Sequence, residues 1–222
     1  MKKWLKRNRG LVVFLLFFGL FRTAVADWNP IPSGSMRPTL LEGDVVLVDR
    51  LAYDAKVPLT DISLHRLADP QRGDVVTFSS PKDGTRLIKR LVALPGDTVE
   101  MKNEVLYVNG RAAEYERISS STEVLGNGLE VEGLQAIEKL AGNDRDVQFL
   151  PRIQARRDFG PLTVPADSYF MLGDNRDNSE DSRYIGAVPR QLLIGRAHHV
   201  LLSANILERW QPRWDRTVKK IR

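Results

Sequence analysis

The sequence predicts a mainly β protein with one N-terminal apolar helix and a small inserted subdomain. Residues 43–50 and 73–80 are short β-branched runs, and each begins with a Gly-Asp turn, which is typical of strands. Residues 11–21 are continuously apolar, which favours a helix in contact with lipid. Residues 111–160 are richer in small and polar residues, which indicates a cap inserted between two parts of the β domain.

The other strand-like runs complete the predicted β domain. Residues 87–110 contain three apolar runs, separated by turn residues at 95–97 and 102–104, and therefore predict three strands. The segments SYFMLGDN and AHHVLLSANI predict further strands after the cap. Residues 51–71 have few periodic apolar positions, so we expect a hairpin extension or a loop. Within the cap, residues 133–141 predict one short helix.

Composition excludes several classes of function. The chain has 222 residues, of which 42% are hydrophobic and 27% charged, as in an ordinary globular protein. It has no cysteine, so disulfides, thiolate metal sites and a cysteine nucleophile are excluded. No pattern for reading nucleic-acid bases is present, so we expect no nucleic-acid partner.

The net charge of +5 is concentrated at the two ends of the chain. The basic residues at these ends are Lys2, Lys3, Lys6, Arg7, Arg9, Arg209, Arg213, Arg216, Lys219, Lys220 and Arg222. Because the first group precedes an apolar segment, it marks the cytoplasmic side of a membrane. For the second group, a solvated chain end and contact with anionic lipid headgroups are both open.

The N-terminal apolar segment has two interpretations. As a helix, residues 11–26 would span about 24 Å, which is short for a hydrocarbon core of about 30 Å. Trp4 and Trp28 would serve as interfacial anchors, and Arg22 would extend to the outer headgroups. The same segment, ending in Ala-Val-Ala, is also typical of a cleavable secretory signal. Both interpretations place everything after Asp27 outside the cytoplasm.

Residues 31–40, IPSGSMRPTL, hold two serines in a turn that Pro32 and Pro38 stiffen. The turn follows the apolar segment closely. Ser33 and Ser35 are therefore candidate functional groups near a membrane.

Lys89 is the candidate base. Strand alternation places Leu87, Lys89, Leu91 and Ala93 on one face, so an ammonium lies among aliphatic side chains. The amine can reach solvent or pair with an acid, or desolvation can lower its pKa. Lowering that pKa by about three units takes roughly 4 kcal/mol and would let the amine activate a serine hydroxyl.

The three histidines are expected to have structural roles. His65 lies in a loop-like region. His198 and His199 are adjacent on a predicted strand and should face opposite sides of it, so they should not converge as ligands. The nucleophile-elbow context of a Ser-His-Asp hydrolase is also missing.

Residues 173–183, GDNRDNSEDSR, form a densely charged loop. Its charged residues are Asp174, Asp177, Glu180, Asp181, Arg176 and Arg183. A calcium loop of EF-hand type would need an oxygen ligand at its third position, where Arg176 stands, so we expect no metal. We expect the loop to hold itself rigid by its own hydrogen bonds and to support a catalytic residue.

The stretches IPSGSMRPTL, RLIKRLVALPGD and GDNRDNSEDSR, in this order, resemble bacterial type I signal peptidases. The likeness runs from about residue 22 to about 205, and residues 111–160 match only by position. It implies a β-rich catalytic domain of signal-peptidase type that binds its substrate as an added extended strand. It further implies a membrane-bound serine endopeptidase that removes signal peptides at Ala-x-Ala sites, without cofactor or metal.

The resemblance also implies roles for single residues. Ser35 would be the nucleophile and Lys89 its general base. Ser33, with the backbone N–H of Ser35, would form the oxyanion hole, and Ser179 would orient the lysine. The supporting residues would be Ser179, Asn178, Asp181 and Arg183. Met36 and Pro38 match the residues that surround the nucleophile in this family.

The implied organisation has five parts. They are a basic cytoplasmic start (1–10), a transmembrane anchor (11–27), a catalytic β domain (28–110 and 161–206), the cap (111–160) and a basic tail (207–222). The resemblance implies a single-pass protein of the bacterial inner membrane, with its catalytic domain on the extracytoplasmic side. The implied partners are signal peptides of exported pre-proteins and the lipid bilayer.

Two alternatives stay open, a conjugation-type processing peptidase with few substrates and an exported β-domain binding protein without catalysis. The self-cleaving repressor type also uses serine and lysine, but it would need a DNA-binding domain where the apolar segment stands. The chain's own Ala-Val-Ala, before Asp27, is an acceptable substrate, so self-cleavage there is a further hypothesis.

Overall fold

The computed structural model describes Trp4 and residues 7–125, 128–140, 142–206 and 209–221. The helices named here are α1 (Arg9–Ala24) and the single-turn α2 (Ser182–Ile185). Three short 3₁₀ turns lie at Gly34–Met36, Arg190–Leu192 and Trp214–Arg216. Most of the remaining regular structure is strand, so the prediction of a mainly β protein is confirmed.

The strands are short and run through the whole described chain after α1. In order they are β1 (Ala26–Pro30), β2 (Asp44–Asp49), β3 (Asp54–Lys56), β4 (Ser63–Arg66), β5 (Val75–Ser79), β6 (Arg86–Ala93), β7 (Thr98–Lys102), β8 (Val105–Val108), β9 (Arg111–Ala112), β10 (Glu114–Val124), β11 (Glu130–Leu140), β12 (Asn143–Phe149), β13 (Phe159–Thr163), β14 (Ser168–Leu172), β15 (Val188–Pro189), β16 (Leu193–Asn205), β17 (Gln211–Pro212) and β18 (Lys219–Lys220). The predicted strands around 43–50, 73–80 and 87–110 are confirmed, as are the hairpin within 51–71 and the strands after the cap.

Four sheets form within the described ranges. The main sheet has the order β1-β2-β16-β5-β6-β14-β15, and β17 and β18 also pair with β16. Strands β13-β7-β8-β9 form a second sheet, β10-β11-β12 a third, and β3-β4 a hairpin. The main sheet places β6 between β5 and β14, and the side chains of β6 from Lys89 to Ala93 are buried.

Helix α1 confirms the predicted N-terminal helix but ends earlier than expected. Its last residue is Ala24, and Ala26 and Asp27 already belong to β1, where Ala26 pairs with Asp49 of β2. Trp28 therefore lies on a strand, so the expected helical spacing between two tryptophan anchors is wrong. Its ring instead packs against Phe18 of α1, with ring centroids 5.7 Å apart. Within the described ranges, no helix combines the length and apolarity needed to cross a bilayer.

The expected helix at 133–141 is wrong, because residues 133–140 lie in β11; residue 141 lies outside the described residues. Its residues include the good helix formers Leu134, Gln135 and Ala136, but β11 is the central strand of its sheet, paired with β10 and β12 on either side. Backbone pairing on both edges outweighs a helix propensity of a few tenths of a kcal/mol per residue.

The C-terminal basic group is only partly a solvated chain end. Arg216 is buried, and its guanidinium forms an ion pair with Asp44, which is fully buried. Arg213 donates to the Glu42 carbonyl at 3.0 Å, and β18 pairs with β16. These contacts hold the segment against the main sheet, so two of its arginines have structural roles.

A buried ion pair joins β6 to the loop at 173–183. Arg90 Nε and Nη2 each donate to one Asp174 oxygen at 2.7 Å, and the two side chains are 2% and 1% exposed. Removing one partner of such a pair leaves an uncompensated buried charge.

We predict that Arg90→Ala lowers the free energy of unfolding by about 3–5 kcal/mol. Arg66→Ala is the matched control, because Arg66 pairs with Asp167 at an exposed site and should contribute at most about 1 kcal/mol. Urea unfolding of both variants measures the difference. Equal losses for the two variants would contradict the structural role of the Arg90–Asp174 pair.

Candidate active site

The two serines of 31–40 lie in and directly before a 3₁₀ turn, Gly34–Met36, that the core holds in place. Met36 is fully buried in one apolar cluster with Ile31 and Leu40, so the turn is anchored at its end and on both flanks. The backbone N–H of Arg37 donates to the Gly34 carbonyl at 3.1 Å and closes the turn. Ser35 is thus carried on a tight turn whose neighbours cannot move freely.

Ser35 and Lys89 are brought together although 54 residues separate them. Lys89 Nζ lies 2.6 Å from Ser35 Oγ, at hydrogen-bond distance. Lys89 is 3% exposed and forms no ion pair within the described part of the chain. Burial lowers the pKa of Lys89 to about 8, although the carboxylates of Asp181, Asp174 and Glu180 raise it.

The environment of Lys89 is largely the predicted one. Leu87 and Leu91 pack in one apolar cluster with Val76, which pairs with Lys89 across β5 and β6. Ala93 instead belongs to a different cluster, so its expected place on the same face is wrong. The physical reason is an irregularity in the pairing of β6 with β14, which falls between Leu91 and Ala93.

A second buried lysine shows why burial alone does not define the site. Lys56 is 6% exposed, and burial lowers its pKa to about 8 as well. Its amine donates to the backbone carbonyl of Leu193, whereas the Lys89 amine meets a hydroxyl. A carbonyl offers no proton to remove, so only Lys89 is placed to activate a nucleophile.

Ser33 precedes the turn in extended conformation, with φ −138° and ψ 156°. Its side chain is exposed and forms no capping hydrogen bond to the turn. The hydroxyl is therefore accessible to a group that approaches Ser35.

The loop at 173–183 passes directly beneath the turn. The Asn175 backbone N–H donates to the Ser35 carbonyl, and its side-chain Nδ2 donates to the Gly34 carbonyl, both at 3.1 Å. Sequence reasoning missed Asn175, although it lies within the quoted motif, because its two neutral hydrogen bonds leave no charge pattern. At Gly173, an added Cβ would lie 2.5 Å from the Ser35 carbonyl oxygen, so the loop can approach only with glycine there.

Asp181 and Arg183 form the expected ion pair. Arg183 Nε and Nη2 each donate to one Asp181 oxygen at 2.8 Å, and both side chains are buried. Asp181 Oδ2 also accepts the Gly173 backbone N–H at 3.0 Å. The pair thus fixes the backbone of the loop where it meets the turn.

The expectation that the loop holds itself rigid is wrong for its other charged residues, whose partners lie elsewhere. Asp174 pairs with Arg90 and also accepts the Thr39 hydroxyl at 2.6 Å. The further pairs that leave the loop are Asp177–Arg157, Arg176–Glu138 and Glu180–Lys82. The loop is held mainly by β6, the turn segment and the cap, because residues of these three segments bind its charged side chains.

Ser179 and Asn178 differ from expectation in their contacts. The Ser179 hydroxyl is buried against Gly173 and has no hydrogen-bond partner in the described ranges, so the expected bond to Lys89 is not formed. Asn178 Nδ2 donates to Glu123 of β10 at 3.3 Å. The supporting contact of Asn178 is therefore made to the cap.

In the described ranges no histidine forms a hydrogen bond with Ser35 or Lys89, and one expectation about the histidines is wrong. A bulge in β16, between Ala197 and His199, brings the neighbouring imidazoles of His198 and His199 together, with their Nδ1 atoms 2.7 Å apart. Strand alternation does not hold across a bulge, so the two rings contact each other. His65 is exposed on β4.

A serine hydroxyl beside a desolvated lysine amine, carried on a rigid β framework, is suited to nucleophilic hydrolysis. Comparison with known proteins agrees with this class. Residues 1–202 match the family described as signal peptidase, peptidase S26. The chain belongs to this family, and it is therefore a serine peptidase.

Individual relatives carry the same description. Signal peptidase I of Pseudomonas aeruginosa is 38% identical over 205 residues, which cover 86% of this chain and 69% of the relative. Signal peptidase I of Pseudomonas fluorescens is 37% identical with the same coverage. A crystal structure of a signal peptidase I from Enterococcus faecalis is 34% identical and covers 59% of this chain and 97% of that one. The TM-score between the two structures is 0.35.

The buried amine predicts a stability that depends on pH. Below about pH 8 the Lys89 amine is charged in both the folded and the unfolded chain, and folding bears the full cost of burying the charge. Between about pH 8 and 10.5 the folded state loses its proton first, so this cost shrinks as pH rises.

We predict that Lys89→Met raises the free energy of unfolding on the order of 3 kcal/mol at pH 7, and that the gain falls toward pH 10.5. Urea unfolding at several pH values measures both. Lys139→Met is the control, because that amine lies at the surface and pairs with Glu116. If Lys89→Met raises the free energy of unfolding equally at pH 7 and pH 10.5, the claim that burial lowers the pKa of the Lys89 amine is contradicted.

Proposed function

We propose that this protein is a membrane-anchored serine endopeptidase that removes N-terminal signal peptides from exported pre-proteins. The observation that carries the proposal is the 2.6 Å contact between the buried Lys89 amine and the Ser35 hydroxyl. Family membership and the signal peptidases among its relatives support the substrate class. Cleavage at Ala-x-Ala sites is proposed from the resemblance of the sequence motifs.

In the proposed mechanism Lys89 is the general base. With a pKa near 8, roughly a tenth of the amines are neutral at pH 7, compared with about 0.04% for an unperturbed lysine. The neutral amine takes the Ser35 proton as Oγ attacks the scissile carbonyl carbon, and the resulting ammonium returns the proton to the leaving amine. Water, deprotonated by the same amine, then hydrolyses the ester formed on Ser35.

The oxyanion that forms during attack needs hydrogen-bond donors. We assign these to the Ser33 hydroxyl and the Ser35 backbone N–H. The exposed, uncapped position of Ser33 supports this assignment, since its hydroxyl has no competing contact with the turn. Asp181 and Arg183 are assigned a supporting role, because their ion pair fixes the loop beneath Ser35.

Ser179 and Asn178 are also assigned supporting roles. The role of Ser179 is proposed from the resemblance of the motif around it, and its buried hydroxyl has no competing hydrogen bond in the described ranges. Asn178 links the same loop to Glu123 in the cap. These roles are secondary to those of Ser35 and Lys89.

The membrane anchor is assigned to α1. Its apolar side chains are largely exposed, with Phe14, Leu16 and Phe17 at 59%, 64% and 68%, and none of its residues is buried. So much unpartnered apolar surface is unfavourable in water, and lipid is the simplest partner for it. The basic residues before α1 favour a cytoplasmic start, with the catalytic domain on the extracytoplasmic side.

The decisive experiment is incubation of the purified protein with a precursor that carries an Ala-x-Ala site. We predict cleavage by the parent, with kcat/KM rising as pH increases through about 8, because the neutral Lys89 amine is the active form. Ser35→Ala should abolish cleavage. Lys89→Arg should abolish it too, because a guanidinium stays protonated.

Lys82→Arg, an exposed lysine changed in the same way, is the matched control for Lys89→Arg and should retain full activity. Activity of Lys89→Arg equal to that of the parent would remove Lys89 as the base. Cleavage by Ser35→Ala would remove Ser35 as the nucleophile.

A separate prediction concerns the oxyanion hole. We expect Ser33→Ala to keep the melting temperature and to lower kcat roughly 10²–10³-fold, the usual effect of losing one oxyanion donor. KM should change little, since the bond forms in the transition state. An unchanged kcat would exclude Ser33 from the oxyanion hole.

A further inference from the structure

One buried carboxylate from the cap reaches the turn that carries Ser35. Glu123 lies on β10 and is 2% exposed. A Cβ added to Gly34 would lie 3.1 Å from Glu123 Oε1, so the carboxylate is in contact with the turn beside Ser35. The function proposed above assigns no role to this residue.

Within the described part of the chain, Glu123 accepts hydrogen bonds from side-chain amides and forms no ion pair with a cation. Asn175 Nδ2 donates to its two oxygens at 3.2 and 3.0 Å, and Asn178 Nδ2 donates at 3.3 Å. Gln148 Nε2 also donates to it. Arg37, a nearby guanidinium, forms its ion pair with Glu42 at 2.8 Å. Glu123 therefore acts as an acceptor for several neutral donors.

The orientation of the Asn175 side chain is the link to the turn. Its Nδ2 donates both to Glu123 and to the Gly34 carbonyl, while its Oδ1 has no partner in the described ranges. An ionised carboxylate only accepts hydrogen bonds, so it requires the amide nitrogen to face it. With the nitrogen on that side, the second hydrogen is available to the Gly34 carbonyl, and the backbone N–H of Asn175 binds the Ser35 carbonyl.

We propose that Glu123 is a positioning residue for the nucleophile. Its carboxylate fixes the Asn175 amide, and Asn175 in turn holds the carbonyls of Gly34 and Ser35, so that Ser35 Oγ stays within reach of Lys89. The inference rests on the proposed role of Ser35 as the nucleophile. It assigns to the cap a contribution to the geometry of the reaction.

Glu123→Gln tests this with almost no change of volume. The new amide would present a donor to the surrounding amide donors, so the Asn175 side chain would lose its fixed orientation. We expect kcat to fall about 10- to 100-fold, with KM and the pH of half-maximal kcat/KM close to those of the parent. The control is Glu116→Gln on the same strand, whose carboxylate pairs with Lys139 at the surface and should leave kcat unchanged.

A double-mutant cycle separates positioning from a general structural effect. In an Asn175→Ala background, Glu123→Gln should have little further effect on kcat, because the group it acts through is gone. A kcat within twofold of the parent in the single variant would overturn the proposal. A fall in kcat that persists in the Asn175→Ala background would overturn it as well. If Glu123→Gln does not fold, Glu123→Asp is judged by the same criteria.

A measurement without turnover keeps the two proposals distinguishable. The side-chain amide signals of Asn175, observed by ¹⁵N NMR, should shift in Glu123→Gln and not in Glu116→Gln. Unshifted signals would overturn the role of Glu123. Failure of the parent to cleave the precursor would instead remove the proposed function, and the amide signals would still decide whether Glu123 orients Asn175.

Discussion

The desolvated amine of Lys89 is the constraint on which the rest of the site depends. Acids do lie near it, but each has a cationic partner of its own. Asp174 is paired with Arg90, and Asp181 with Arg183. Because these carboxylates are already neutralised, none draws the amine into an ion pair, and burial can lower its pKa. The neighbouring arginines therefore keep the Lys89 amine unpaired, while the apolar strands around it keep it away from water.

The contact between Ser35 and Lys89 has a second requirement. The turn, β6 and the loop at 173–183 are distant in sequence and must meet without large side chains between them. Met36 anchors the turn in the core, and β6 carries Lys89 between two other strands. Gly173 lets the charged loop approach the Ser35 carbonyl, and Asn175 binds the turn at two carbonyls. Rigid backbone, and not long flexible side chains, brings the serine and the lysine together.

Local patterns in the sequence predicted the strands and the proximity of Ser35 and Lys89, but not the contacts that hold these two residues in place. The runs behind Gly-Asp turns became β2 and β5, and the motifs identified Ser35 and Lys89. The helix formers of β11 were misleading, because pairing with two neighbouring strands outweighs local propensity. A bulge in β16 is equally invisible to a rule of alternation. Glu123 was missed because its partners lie 25 or more residues away and carry no charge.

The buried Glu138 of β11 determines how independent the inserted segment can be. It accepts hydrogen bonds from Arg145 within the cap and from Arg176 of the loop below Ser35. Burial opposes its ionisation, but Arg176 and Arg145 hold the pKa of Glu138 well below its ordinary range. Arg176 is itself 2% exposed, and the carboxylate with which its guanidinium forms an ion pair is that of Glu138. A buried ion pair therefore joins the insertion to the loop at 173–183. Shortening the insertion, or exchanging it for that of a relative, would require a matching change in the loop.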